Sequence, residues 1–192
     1  MIIGDALFAE RDLDNYLRGQ KAAVDGHVRK HVQSKELQTS DDMTIVKRLL
    51  PDGLVAGLDV DFDNPVKDLK EARVTVRDHF HGNVEINGVR ATRSFAFKGD
   101  QRLFSLLTNP YSMSLPHGRV VGNRIEIGME GRPDAETLKR EIDRNEQLLR
   151  EFVAWSTHQV EEHNRQLEGL LTKAVAARRA ELDRFSDLKN SI

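Results

Sequence analysis

From Pro133 to about residue 187 the chain carries one apolar stripe at close to 3.6-residue spacing, and no other stretch restricts its fold so severely. Ile142, Leu149, Phe152, Val160, Leu167, Leu170, Ala174 and Phe185 mark the stripe, with Ser156, His163, Arg178 and Glu181 as polar interruptions in the same file. Pro133 suits the first helical turn, and Asp134 and Glu136 meet the positive end of the helix dipole. Arg178, Arg179, Arg184 and Lys189 populate its negative end. Glu136–Arg140, Glu146–Arg150 and Glu161–Arg165 stand four residues apart in the favourable order, each pair worth about 0.2–0.5 kcal/mol. Such a helix runs roughly 80 Å at the standard rise, whereas a compact chain of this length is only about 40 Å across. The helix therefore has three ways to cover its stripe. It can fold back, with a break near 163–170 at His163-Asn164 or Gly169; it can pair with helices from the N-terminal part; or it can pack on a second copy.

Upstream, two other periodicities occur. Residues 5–37 are expected to be helical, with Leu13, Leu17, Val24, Val28 and Val32 on one face and Gly19 and Gly26 as weak points. Ser40-Asp41-Asp42 offers N-cap chemistry for a short helix through Leu49, which Pro51-Asp52-Gly53 closes with a turn. From Leu54 to Glu130 the period falls to two. Ala72, Val74 and Val76 alternate with Arg73, Thr75 and Arg77, and Asn87-Gly88 between two apolar runs is a strong hairpin signal. A second turn at Gly122-Asn123 leads into a strand with Ile125, Ile127 and Met129 on one face. Five to seven short, mostly antiparallel strands are expected. Phe95 and Phe97 share a file with Val89 and Ala91 and should be buried. Arg93 stands in that same file, so it must pass the sheet edge or meet a carboxylate.

The fold class is thus α+β: N-terminal helices over 1–50, a small, mostly antiparallel β-rich body over 51–131, and a long helical arm over 132–192. Leu149, Phe152, Trp155, Leu167 and Leu170 are the expected helix–helix interface residues.

Charge and composition narrow the function. The 29 basic and 31 acidic residues are interleaved and leave a net charge of −2, without the basic excess of a dedicated duplex binder. No cysteine is present, which removes thiol catalysis and thiolate metal sites. The opening Met1-Ile2-Ile3-Gly4-Asp5 lacks the regions of a signal peptide, and no apolar run is long enough to span a bilayer, so a cytoplasmic chain is expected.

Several motif fragments fail on context. Asp52 and Asp68-Leu69-Lys70 spell a PD-(D/E)xK pattern, yet Asp52 lies in a turn signal and Asp68 follows Asn64-Pro65. Asp59, Asp61 and Asp63 resemble the start of a calcium loop that then lacks its glycine and its closing glutamate. His27 and His31 have zinc spacing but no third ligand, and His79 and His81, on one strand face, also lack an identifiable third ligand. Arg93–Lys98 resembles part of an RNA-binding strand, with Ser94 in the glycine position. No catalytic, cofactor-binding or metal-binding residue, and no cofactor, is assigned.

A family resemblance adds context. Phe97-Lys98-Gly99-Asp100 with Leu103-Phe104, then Ser114-Leu115-Pro116, the strand 124–130, and Asn164, Leu167 and Ala177-Arg178-Arg179-Ala180-Glu181-Leu182 occur in one order over roughly 70–185. This order resembles the non-catalytic N-terminal region of bacterial multidomain proteins that end in a restriction-endonuclease-like domain. The length mismatch of the helix leads us to expect self-association through residues 134–188; the resemblance implies that the chain positions a C-terminal effector in nucleic-acid degradation for defence and meets nucleic acid only indirectly. Two other readings use different residues: a single-stranded nucleic-acid binder on the Phe95/Phe97 face, and a metal-dependent hydrolase built on Asp59, Asp61, Asp63 and Asp68.

Overall fold

The computed structural model describes residues 1–78, 82–108, 112 and 114–191. In chain order the elements are β1 (Asp5–Ala6), α1 (Leu13–His31), α2 (Ser34–Thr39), α3 (Asp42–Gly53), β2 (Asp59–Val60), β3 (Val66–Asp78), β4 (Gly82–Lys98), a 3₁₀ turn (Gln101–Phe104), β5 (His117–Val121), β6 (Arg124–Gly131) and α4 (Ala135–Asn190). The class is α+β, as the two periodicities require.

Two compact units form, and they cut across runs of like secondary structure. One contains Met1–Leu13 and Gly57–His158, the other Asp14–Ala56 and Gln159–Ile192. The sequence divisions at 1–50, 51–131 and 132–192 follow element type; packing instead shares α4 between both units. Each unit is described by itself.

The first unit is a six-stranded sheet in the order β1-β5-β6-β4-β2, with β3 also on β4. All named pairings are antiparallel. The Gly122-Asn123 turn joins β5 to β6 as expected, with Val121 opposite Arg124 and Gly122 at a φ of 60°. The core face carries Phe95 and Ile125 at 0% exposure, Ile127 at 0% and Phe97 at 8%. Phe95 meets Phe62 at 5.1 Å and Phe97 meets Phe104 at 5.0 Å. The opposite face is a ladder of charge, in which Arg90 lies 3.6 Å from Glu126 and 3.4 Å from Glu130, and Arg119 lies 2.7 Å from Glu126.

Arg93 takes the second of its two options. Its guanidinium sits 2.7 Å from Asp143 and 2.8 Å from Glu146 on the first half of α4. Burial opposes its charge, but hydrogen bonds to Glu146 and Asp143 outweigh that and raise its pKa. Glu146 also accepts from Arg150, which donates to the Phe62 carbonyl at 3.2 Å and stacks 4.3 Å over the Phe62 ring.

In this unit two expectations fail for physical reasons. Residues 5–12 are not helical. Ala6 pairs with His117, the Leu7 N–H reaches the Pro116 carbonyl, and Phe8 lies at a φ of 56° with its ring fully buried between Phe104 and Phe152. Sheet pairing and core burial of Leu7 and Phe8 override the helical pattern there. The Asn87-Gly88 hairpin is also absent: β4 runs straight through it, with Gly88 opposite Ala72 and Asn87 opposite Arg73. A Cβ at Gly88 would stand 2.4 Å from both the Gly131 carbonyl oxygen and Val74 Cγ2, so this glycine serves close approach between strands. β3 and β4 instead pair out to Asp78 opposite Gly82, and His79 and His81 lie outside the described residues.

The second unit is helical. Val24, Val28, Val32, Ile45, Leu49, Leu167, Leu171 and Val175 form one buried cluster from α1, α3 and α4. α1 runs alongside α4 in the same sense, with Lys21 at 2.7 Å from Gln166 and Arg29 at 3.8 Å from Glu181. α3 runs in the opposite sense, its Asp42 held by Arg179 at 2.6 Å and its Gly53 carbonyl 3.3 Å from His163. Asp41 caps α3, accepting from the Thr44 N–H at 2.8 Å. Pro51-Asp52-Gly53, expected as a turn beyond this helix, forms its last turn. α4 is unbroken over its 56 residues, so no break occurs near 163–170. Gly169 is exposed, while Leu167 and Leu171 around it are each 2% exposed, and their packing outweighs the roughly 1 kcal/mol glycine penalty.

The close approach at Gly88 generates a test. Gly88→Ala should destabilise the protein by about 1–3 kcal/mol through overpacking, read from the urea midpoint, whereas Asn87→Ala should stay within about 0.5 kcal/mol. Equal effects at the two positions would mean that residues 87–88 are not inside a packed strand.

Candidate functional site

The stripe of α4 outlasts its cover. Leu167, Leu171, Ala174 and Val175 are buried against α1 and α3, but from Asp183 to Lys189 every residue is exposed. Phe185 and Leu188 are 59% and 61% exposed, on the same side as half-buried Leu182. Beside them lies a groove of about 480 Å³ between α1 and α4, lined by Asp25, Arg29, Arg178, Glu181, Arg184 and the two apolar side chains. Arg178 donates to Glu181 at 3.0 Å, yet its Nε is buried without a hydrogen-bond partner. An apolar pair beside charges of both signs can hold a helix or a peptide.

The expected interface residues divide into two groups. Leu149, Phe152 and Leu167 are 0%, 0% and 2% exposed, already covered by their own chain, so they cannot also face a second copy. The chain covers its own stripe in two ways: Phe152 packs on Phe8 in the sheet unit, and Leu167 packs among α1 and α3 in the helical unit. Leu170 is half-buried against the helical cluster, and Trp155 is 36% exposed with its ring 5.0 Å from Phe152. Sequence reading placed Phe185 on the stripe but passed over Leu182 and Leu188. Their three-residue spacing was the available signal; how far α1 reaches along α4 was not.

Three of the candidate acidic residues, Asp52, Asp61 and Asp68, have other partners. Asp61 closes a turn, its Oδ1 accepting from the Asp63 and Asn64 N–H groups at 3.2 Å. Asp68 pairs with Lys70 at 2.7 Å, and Asp52 with His27 at 3.3 Å. Among the described residues no three His, Asp or Glu side chains converge on a metal-sized site. His27 and His31 lie with ring centroids 4.4 Å apart. Phe95 and Phe97 lie inside the core and present no stacking face.

His163 is the one buried histidine among the described residues, at 1% exposure, with Nδ1 lacking a partner. Burial pushes its pKa below the ordinary 6.5; the Gly53 carbonyl opposes the shift and Lys21 adds to it.

Two outcomes are expected. A histidine with a depressed folded pKa contributes stability that is present above 6.5 and lost as pH falls through that value towards the folded pKa. His163→Leu should flatten the melting-temperature profile between about pH 7 and pH 5 relative to wild type; parallel profiles would remove His163 from the acid response. Phe97→Ala should cost about 3–5 kcal/mol as a core truncation, whereas a stable Phe97→Ala protein that loses oligonucleotide binding would restore the nucleic-acid reading.

Comparison with protein-family models, with curated proteins and with solved structures finds no match.

Proposed function

We propose that the chain is a non-enzymatic assembly or sensing module of the cytoplasm that self-associates through its helices and positions a downstream effector. The exposed end of α4 carries this reading. Phe185 and Leu188 stand 59% and 61% exposed on a helix whose preceding turns bury the same stripe. Scattered apolar residues on a surface need no explanation, but these adjoin a groove and continue a core file.

The occupant that fits is a second α4 in antiparallel orientation. A two-fold axis at Phe185 sets Leu182 against Leu188 of the other copy and Glu181 against its Lys189, an apolar centre flanked by opposite charges. The engagement of Asp61 and Asp68 in a turn and an ion pair supports assigning them to the fold rather than to a reaction. No helix among the described residues is long and apolar enough to cross a membrane. The effector rests on the resemblance given above, which implies a nuclease-like domain of bacterial defence.

Light scattering at high micromolar concentration should give a mass above the 21.8 kDa of one chain. Phe185→Ser with Leu188→Ser should weaken that association at least tenfold while leaving the melting temperature within about 2 °C, since both residues are exposed. A wild type that stays monomeric, or a double variant that associates as well as wild type, would overturn the helical interface.

A further inference from the structure

β3 is an edge strand of the sheet. Among the described residues its only strand neighbour is β4, so one side of its backbone carries N–H and C=O groups with no strand partner. Val66 to Glu71 are all exposed, including two of the largest exposed apolar side chains, Val66 at 56% and Leu69 at 65%. An edge of this length is a template for another strand unless its side chains forbid pairing.

Here the side chains select one pairing instead of forbidding all. Antiparallel pairing with a two-fold axis at Leu69 sets Leu69 against Leu69, Asp68 against Lys70, Lys67 against Glu71, and Val66 against Ala72 of the other copy. Every opposed pair is apolar–apolar or opposite in charge. Neighbouring registers fail. An axis at Lys70 opposes Lys70 to Lys70 and Lys67 to Arg73; an axis at Asp68 opposes Asp68 to Asp68. A one-residue slip opposes Asp68 to Glu71 in one direction and Lys67 to Lys70 in the other, and parallel in-register pairing opposes every charge to itself. The Asp68–Lys70 contact of 2.7 Å within one strand shows both charges on the same side, where the other copy's pair would complete a four-charge square.

We infer that residues 66–72 of β3 form a second self-association surface, through which two copies join their sheets edge to edge. Opposed residues in this register are of like parity, so outward N–H and C=O groups of one strand meet those of the other whichever set faces out. Leu69 lies beside Ala91 and Met129 in the same row of the core face, so the paired leucines extend that face across the junction. This surface is separate from the end of α4 and does not rest on it.

The chain has no cysteine, so one introduced thiol reports position without background. In purified full chain, Leu69→Cys should give a disulfide-linked dimer under mild oxidation. A mixture of Asp68→Cys and Lys70→Cys should cross-link to each other at least fivefold better than either to itself. Lys70→Glu should weaken self-association at least tenfold, and Asp68→Lys combined with Lys70→Glu should restore it. Each measurement is repeated with Phe185→Ser/Leu188→Ser: persistence of the cross-links there supports the β3 surface even when the helical one is lost. Failure of Leu69→Cys to cross-link at concentrations where the wild type associates, or failure of the charge swap to restore a folded Lys70→Glu protein, would overturn the pairing. A wild type monomeric at all concentrations would overturn both surfaces; loss of one set of effects alone would overturn only that surface.

Discussion

Arg93 is the point around which the sheet unit is organised. A guanidinium in a core-facing file, 18% exposed, cannot be left without counter-charge, because an uncompensated buried charge costs about 3–5 kcal/mol. Asp143 and Glu146 lie one turn apart on α4, so satisfying Arg93 fixes both the rotation and the axial position of that helix over the sheet. Further contacts follow at the same registration. Asn145 bonds both the N–H and the carbonyl of His117, Arg150 reaches the Phe62 carbonyl, and Phe152 packs on Phe8. Lys139 first, and Arg93 second, hold the Asp143 carboxyl below its usual range, which keeps the counter-charge in place.

The helical unit uses a second arginine in a comparable way. Arg179 donates to the carbonyls of Leu37 and Ser40 and to the Asp42 carboxylate, joining the end of α2 to the start of α3. Helix termini leave carbonyls without intrahelical partners, and one guanidinium with a fork of donors satisfies two of them together with a carboxylate. Arg48 repeats the device on the other side, bridging Glu36 and the His31 carbonyl. The short connections between α1, α2 and α3 are thus held by charge as well as by the Val28, Ile45 and Leu49 core.

The two surfaces proposed for self-association differ in kind. The end of α4 offers apolar area beside mixed charge, where affinity would come from burial. The β3 edge offers backbone hydrogen bonds and a charge pattern, where affinity would come from the ladder and register from the side chains. Together, the two proposed surfaces would extend association beyond a dimer.

The sequence by itself determined the element types wherever a period was sustained. The α4 stripe, the Gly122-Asn123 turn, the Asp41 cap, and the burial of Phe95 and Phe97 with Arg93 in need of a carboxylate were all legible, because each depends on local spacing or on the chemistry of one file. What lay beyond it were contacts between residues far apart in the chain. Asn87-Gly88 spells a turn locally, but Gly131 approaches Gly88 so closely that the same glycine is required inside a strand. Residues 5–12 follow a helical pattern locally, yet Leu7 and Phe8 gain more by entering the sheet unit. Leu149, Phe152 and Leu167 could have faced any partner; tertiary packing decided that their own chain covers them, while Phe185, Leu188, Val66 and Leu69 stay exposed. Local spacing states what a residue needs buried or paired, and only the folded chain decides which distant group supplies it.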